Sequence, residues 1–223
     1  MEIYGVCLSN EHKTLSQLEF TTNKTPTNND KAALTTIVSD IFLRAIICDK
    51  LEISNKLINF SVNEYGKPFL QNYNDFHFNI SHSGEWIVCA IDQFPIGIDI
   101  EFIRPVNLYI VKRFFTEEEY MDIKKRSHSE QVDYFFSLWT LKESYVKAVG
   151  KGLSLPFNSF SIKVSSENIS IKKDNEFSEK VFFKQYYTEK NYKLSVCALN
   201  DNFPDSINVV DFDYILDFLK QST

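Results

Sequence analysis

The chain has 223 residues, 43% of them hydrophobic, and is unusually rich in phenylalanine (20) and tyrosine (11), so it can bury an aromatic core. Its formal net charge of −6 argues against general nucleic-acid binding, which needs net or patchy positive charge. No stretch approaches the roughly 20 apolar residues of a membrane span, and the start lacks a basic segment followed by an apolar one, so a protein of the cytoplasm is expected.

The four cysteines (Cys7, Cys48, Cys89, Cys197) stand far apart and form no CxxC pattern. Three sit in apolar runs, which fits buried thiols better than disulfides or a zinc site.

Residues 1–8 read as a first strand. A Thr- and Asn-rich loop spans 21–30. Asn29 or Asp30 is then placed to cap a helix running to about Cys48, with Ala33, Ile37, Ile41 and Ala45 on its apolar side. Residues 60–64 read as a strand and 64–68 as a turn. Strands at 76–80 and 86–91 are expected on either side of a Ser-His-Ser-Gly turn, and Pro95 and Pro105 bound a further strand at 96–101.

In the second half, Thr116 caps a helix whose first turn, Glu117-Glu118-Glu119, matches the helix dipole. A longer helix covers about 130–149 and ends at Gly150 and Gly152. Strands at 160–164, 169–172, 181–187 and 194–199 follow, with an exposed hairpin or loop over 165–180. Val88-Cys89-Ala90 and Val196-Cys197-Ala198 each come after a long helix and a set of short strands. Either two similar α+β halves arose by duplication, joined near 104–108, or three small apolar residues coincide by chance.

Three stretches carry candidate chemistry. In Trp139-Thr140-Leu141-Lys142-Glu143-Ser144-Tyr145-Val146-Lys147, Glu143 and Lys147 stand four apart and share a helix face. Such pairs are also common surface dressing, worth only about 0.2–0.5 kcal/mol. Trp139 and Tyr145 are expected on other faces, holding the helix in the core, while Lys142 and Lys151 fit no single role.

In Gly97-Ile98-Asp99-Ile100-Glu101, strand alternation puts both carboxylates on one face and the isoleucines on the other. Two like charges held together favour a cation between them or raise one pKa. Oxygen ligands with no histidine among them suit Mg²⁺ rather than zinc. An edge strand with a solvated acidic face is the alternative.

The Ser81-His82-Ser83-Gly84 turn offers hydroxyl, imidazole and backbone donors to an anion, and Lys67 in Tyr65-Gly66-Lys67-Pro68 could bring an ammonium to a phosphate. Either stretch can also be a plain turn. No Walker A loop, G-x-G-x-x-G or G-x-S-x-G occurs. Between Arg104 and Phe115, basic and apolar residues interleave without an acid, a docking surface for an acidic partner or else a linker and a buried helix.

Taken in order, G-K-P (66–68), F-N-I-S-H-S-G (78–84), P-I-G-I-D-I-E (95–101), R-F-F-T-x-x-E-Y (113–120) and L-W-T-L-K-E-S-Y-V-K-A-V-G-K-G-L-S-L-P (138–156) resemble the 4′-phosphopantetheinyl transferases of the monomeric, surfactin-synthetase-activating type. The resemblance implies an α+β fold of two similar halves, 1–104 and 105–223, about a pseudo-twofold axis with the active site between them. It implies transfer of the phosphopantetheine arm of coenzyme A to a serine of a carrier protein, releasing adenosine 3′,5′-bisphosphate.

By matching positions, Asp99, Glu101 and Glu143 would hold Mg²⁺, and Glu143 would take the serine proton directly or through a metal-bound water. Lys147 would contact the pyrophosphate. Thr36, Lys67, Ser81 and His82 would bind the nucleotide end of coenzyme A, and Glu119 matches an acidic position near the metal. Residues 104–120 would meet an acidic carrier protein of peptide or polyketide synthesis. Where the family often has an arginine beside the helix threonine, this chain has Thr35, and Lys24 and Lys31 are the nearby basic residues.

Overall fold

The structure, a computed structural model, describes residues 1–8, 31–165, 168–173 and 181–222. In chain order its elements are β1 (Glu2–Cys7), α1 (Lys31–Leu51), β2 (Phe60–Val62), β3 (Pro68–Leu70), β4 (His77–Ser83), β5 (Trp86–Asp92) and β6 (Ile96–Phe102). There follow α2 (Leu108–Phe114), α3 (Glu117–Lys124), α4 (His128–Val149), β7 (Phe160–Val164), β8 (Ile169–Lys173), β9 (Phe182–Tyr186), β10 (Tyr192–Ala198), β11 (Asn208–Val209) and α5 (Phe212–Ser222). The fold is α+β, as expected. The predicted cap at Asn29 or Asp30, the 21–30 loop, Lys24 and parts of 165–180 lie outside the described residues.

β2-β3 and β7-β8 form two-stranded sheets, and the two larger sheets run β11-β1-β5-β4 and β6-β10-β9. All neighbours are antiparallel except β1 and β11. Strand alternation explains how they stack. Val88 and Ala90 of β5, Val196 and Ala198 of β10 and the three isoleucines of β6 meet in one apolar layer between the sheets. Cys89 turns the other way into the core beneath α1 and α5, and Cys197 turns into the aromatic core beneath α4. The two Val-Cys-Ala segments therefore occupy equivalent places, each the central part of a sheet with its cysteine facing a long helix. All four cysteines are free thiols.

Elements cross between the halves. β6 precedes residue 104, yet it pairs with β10. β11 pairs with β1, and Phe212 and Ile215 of α5 join the core beneath α1. Neither β11 nor α5 is among the expected elements: a two-residue strand leaves no period to read, whereas Phe212, Ile215 and Phe218 of α5, spaced three apart, do carry a helical signal.

β4 and β6 lie side by side without belonging to one sheet. A side-chain ladder joins them. Asn79 Oδ1 accepts from Ile98 N (2.8 Å), Ser81 Oγ from Ile100 N (3.4 Å) and Ser83 Oγ from Phe102 N (3.0 Å). One expectation differs: Ser81-His82-Ser83 is strand rather than turn, because these residues continue the antiparallel pairing with β5. The turn is only Gly84-Glu85, because Ser83 still pairs with Trp86. Gly84 has φ +61, and a Cβ there would lie 2.3 Å from the Tyr192 hydroxyl, so glycine is required.

Candidate active site

The site forms where β6 meets α4. A capping box between Ser127 and Glu130 starts α4, and Gly150, in the left-handed conformation at φ 76, ends it. The helix face toward the second sheet is small and polar. Ser137, Thr140, Ser144 and Ala148 are buried, and Thr140 Oγ1 and Ser195 Oγ share a 2.7 Å hydrogen bond. Small side chains let the helix close onto β6. A Cβ at Gly97 would stand 2.0 Å from Ser144 O and 2.4 Å from Ala148 N.

That close approach brings the acidic strand to the helix. Asp99 is only 4% exposed, and its Oδ1 accepts from Lys147 Nζ (2.6 Å) and from Ser81 Oγ (2.9 Å). Lys147 also donates to Ser81 Oγ (3.0 Å) and Ile98 O (3.2 Å). Ser83 Oγ donates to Glu101 Oε2 (3.0 Å).

Burial pushes the pKa of Asp99 up, with the Lys147 ammonium opposing it. Glu101 is pushed up by burial and then by the Asp99 charge. Glu143 is pushed up to about 7, again by burial first and then by Asp99. The Asp99 charge thus acts on both glutamates across β6 and α4. β6 is the edge strand of its sheet, as one reading of the sequence had it, but its acidic face is not a solvated one, since Asp99 is buried and Glu101 half-buried.

The residues fit a hard, oxygen-ligated cation in one respect. Asp99 Oδ2 is buried with no hydrogen-bond partner, an arrangement that buried carboxylate oxygens normally avoid. Among the described residues no three His, Cys, Asp or Glu side chains already converge as a metal cage. Lys147 stands on Asp99 where a cation would, and Mg²⁺ commonly uses only one or two carboxylates with waters and phosphates.

A cleft of about 690 Å³ opens beside these groups, with Glu143 and Lys147 on one wall and Tyr65, Phe114 and Leu153 at other points around it. Trp139 packs against the aromatic core as expected, stacked on Phe135 at 5.7 Å, but it shares the face of Glu143 rather than standing on another, and lines this cleft too. Positions 139, 143 and 147 are successive i, i+4 steps, so one stripe of α4 carries all three. Tyr145 packs in the core as expected, edge-on to Phe160 at 4.9 Å.

Lys67 donates to three carbonyls, Ile96 O (3.1 Å), Lys147 O (2.5 Å) and Ala148 O (3.2 Å). Burial lowers its pKa to about 8. His82 is exposed on β4, and Thr36 is exposed on α1, the helix packed over the first sheet. Glu119 is buried and pairs with Lys142 at 2.9 Å, while its Oε1 accepts from Ile162 N. Lys142 is fully buried and donates to Phe157 O (2.7 Å) and Phe160 O (2.6 Å). Glu119 and Lys142 thus tie α3 and α4 to the turn before β7.

α2 is a helix capped by Asn107, whose side chain accepts from Tyr109 N. It exposes Tyr109, Ile110 and Phe114 together with Lys112 and Arg113.

Comparison with known proteins gives the family. The profile of the 4′-phosphopantetheinyl transferase superfamily matches residues 95–197, and that of "4′-phosphopantetheinyl transferase, N-terminal" matches 8–93. The chain is 40% identical to 4′-phosphopantetheinyl transferase Sfp of Bacillus subtilis over 228 aligned positions, covering 97% of this chain and all of that one. It is 43% identical to 4′-phosphopantetheinyl transferase gsp of Aneurinibacillus migulanus, covering 77% and 71% of the two chains. A solved holo-(acyl-carrier-protein) synthase from Bacillus anthracis, in complex with CoA (3′,5′-ADP), aligns with a TM-score of 0.40 at 22% identity, covering 47% of this chain and 93% of that one.

The chain belongs to the 4′-phosphopantetheinyl transferase superfamily. It is an enzyme that transfers the 4′-phosphopantetheine arm of coenzyme A to a carrier protein.

Proposed function

We propose that the transfer is Mg²⁺-dependent and proceeds at the β6–α4 junction, with Asp99, Glu101 and Glu143 as the residues that would hold the cation. The observation that carries this reading is the buried, partnerless Oδ2 of Asp99, whose charge adds to burial in raising the pKa values of Glu101 and Glu143. When bound, Mg²⁺ supplies charge neutralisation for the pyrophosphate and the leaving phosphate.

Glu143, with a pKa near the operating pH, is suited to accept the proton of the attacking serine hydroxyl. Lys147 is the ammonium that stabilises the phosphoryl charge. Its side chain is 26% exposed on the cleft wall, so it can turn from Asp99 toward a phosphate. Thr36, His82 and Ser81 are assigned to the nucleotide end by family likeness, and Ser81 braces Asp99 as well. Lys67, with its protons on three carbonyls, acts first by holding the end of α4 against β6.

The acceptor proposed is an acidic carrier domain of nonribosomal peptide or polyketide synthesis. It would dock on the basic and apolar face of α2, because charge complementarity steers such encounters. No described helix is long and apolar enough to cross a membrane, and we assign the protein to the cytoplasm as a monomer that needs no nucleic acid.

The test is mass spectrometry. Incubation with coenzyme A, Mg²⁺ and an apo carrier protein adds about 340 Da to the carrier, the mass of a covalent phosphopantetheine arm. Equal gain with the metal removed by a chelator would overturn the Mg²⁺ assignment, and no gain on any peptidyl or acyl carrier would overturn the choice of acceptor.

A further inference from the structure

The ladder between β4 and β6 has a constant register, and the carboxylates lie on it. Each side chain at 79, 81 and 83 bonds the amide nineteen residues on, at 98, 100 and 102. The two serines also donate to the side chain eighteen residues on. Ser81 reaches Asp99 Oδ1 at 2.9 Å, and Ser83 reaches Glu101 Oε2 at 3.0 Å.

Two hydroxyls two apart on one strand thus meet two carboxylates two apart on the next, and each hydroxyl engages one oxygen of its carboxylate. A hydroxyl can do both jobs because it has one proton to donate and lone pairs to accept with. For Asp99 the result is visible: Oδ1 collects both donors and Oδ2 is buried without one.

We propose that Ser83 is a positioning residue for the metal site, fixing the rotation of the Glu101 carboxylate so that one oxygen is held by the protein and the other is kept for a divalent cation. This rests on the Mg²⁺ reading above. Ser83 does the same for Glu101 as Ser81 does for Asp99, but without the competing ammonium: Lys147 binds Asp99, whereas Ser83 is the hydrogen-bond donor held on Glu101. Glu101 stands near the end of β6, half-buried, where its side chain has more freedom than Asp99 and more to lose without a fixed partner. Residues that orient a metal's ligands characteristically change its affinity by about 10- to 100-fold when removed.

The experiment titrates Mn²⁺ into the full chain with coenzyme A present, following free Mn²⁺ by electron paramagnetic resonance, for the wild type, Ser83→Ala and Ser83→Thr. Ser83→Ala is expected to weaken Mn²⁺ binding about 10-fold, and Ser83→Thr, which keeps the hydroxyl, to restore it. Thermal stability without metal should change little, because the Phe102 amide freed by the alanine lies on an exposed residue that water reaches. Unchanged Mn²⁺ affinity with a lowered melting temperature in Ser83→Ala would make the serine a structural stitch only and overturn the proposal. Equal weakening in the alanine and threonine variants would overturn it too, since the hydroxyl would not be the determinant. A wild type that binds no Mn²⁺ with coenzyme A present would sink the metal reading itself, an outcome distinct from both.

Discussion

Lys147 Nζ lies 2.6 Å from Asp99 Oδ1, joining the helix stripe that lines the cleft to the acidic strand of the neighbouring sheet. Asp99 is 4% exposed and Lys147 26%, so the carboxylate depends on this ammonium for compensation. Removing one partner of a buried pair leaves the other uncompensated. Lys147→Met should therefore cost about 3 kcal/mol of stability at pH 7, measured by urea denaturation, together with loss of transfer. The penalty falls on the charged form of Asp99. In the variant that form is still more disfavoured, so stability should recover as the pH falls and the carboxylate takes a proton. No recovery between pH 7 and 5 would mean that Asp99 does not carry the cost.

Glu143 gives the second expectation. Burial and the Asp99 charge hold its pKa near 7, against an ordinary value of 4.5. A general base must be deprotonated, so kcat/KM at limiting Mg²⁺ should fall with a midpoint near pH 7 as the solution is acidified. Added Mg²⁺ favours the carboxylate form and should move that midpoint lower. The same raised pKa has the opposite effect on folding. The folded chain holds this proton more tightly than the unfolded one, so the group's contribution to stability is full below pH 4.5 and is lost as the pH rises through about 7. A rate profile flat from pH 5 to 8 would remove Glu143 as the base.

Gly97 sets how closely α4 approaches β6. Alanine there would put a methyl carbon 2.0 Å from Ser144 O and 2.4 Å from Ala148 N, both backbone atoms that no rotamer change can move. The helix must shift outward, separating Glu143 and Lys147 from Asp99. Gly97→Ala should cost about 3 kcal/mol in thermal or urea unfolding and lower kcat more than KM. A fully active, equally stable variant would show that the close approach is dispensable.

The sequence and the fold agree where a short repeat carries the information. In Ile96-Gly97-Ile98-Asp99-Ile100-Glu101, alternation sorts the isoleucines into the inter-sheet layer and turns Gly97 and Asp99 toward α4, as strand geometry requires. The Val-Cys-Ala likeness is legible for the same reason. Residues whose roles depend on distant partners were not legible. Lys142 reads as ambiguous until Glu119 and the carbonyls of Phe157 and Phe160 are brought to it, although its neighbours Leu138, Leu141 and Tyr145 put it on the buried side of α4. Ser81 and Ser83 look like turn residues because a serine-rich segment ending in glycine favours turns. They instead extend the pairing of β4 with β5, and the β6 amides that their side chains bond lie nineteen positions away.

Lys67 tests whether family likeness or local geometry describes a residue better. A phosphate ligand should leave stability unchanged when removed and weaken coenzyme A binding alone. The three carbonyls on its ammonium predict the reverse order of effects. Ile96 O begins β6, and Lys147 O and Ala148 O belong to the last turn of α4, whose carbonyls have no partner within the helix. Hydrogen bonds to a charged group contribute about 1.5–3 kcal/mol, and methionine would replace the stem without the ammonium. Lys67→Met should therefore lower stability by about 2 kcal/mol in the absence of coenzyme A, and reduce kcat because Lys147 sits on the turn that is released. The ammonium is displaced to a pKa of about 8 by burial. The folded chain holds this proton less tightly than the unfolded one, so the group's contribution should make the wild type gain stability as the pH rises from about 8 toward 10.5, a pH dependence that Lys67→Met abolishes. Unchanged melting at pH 7 with a raised KM for coenzyme A would return Lys67 to the role of a ligand contact.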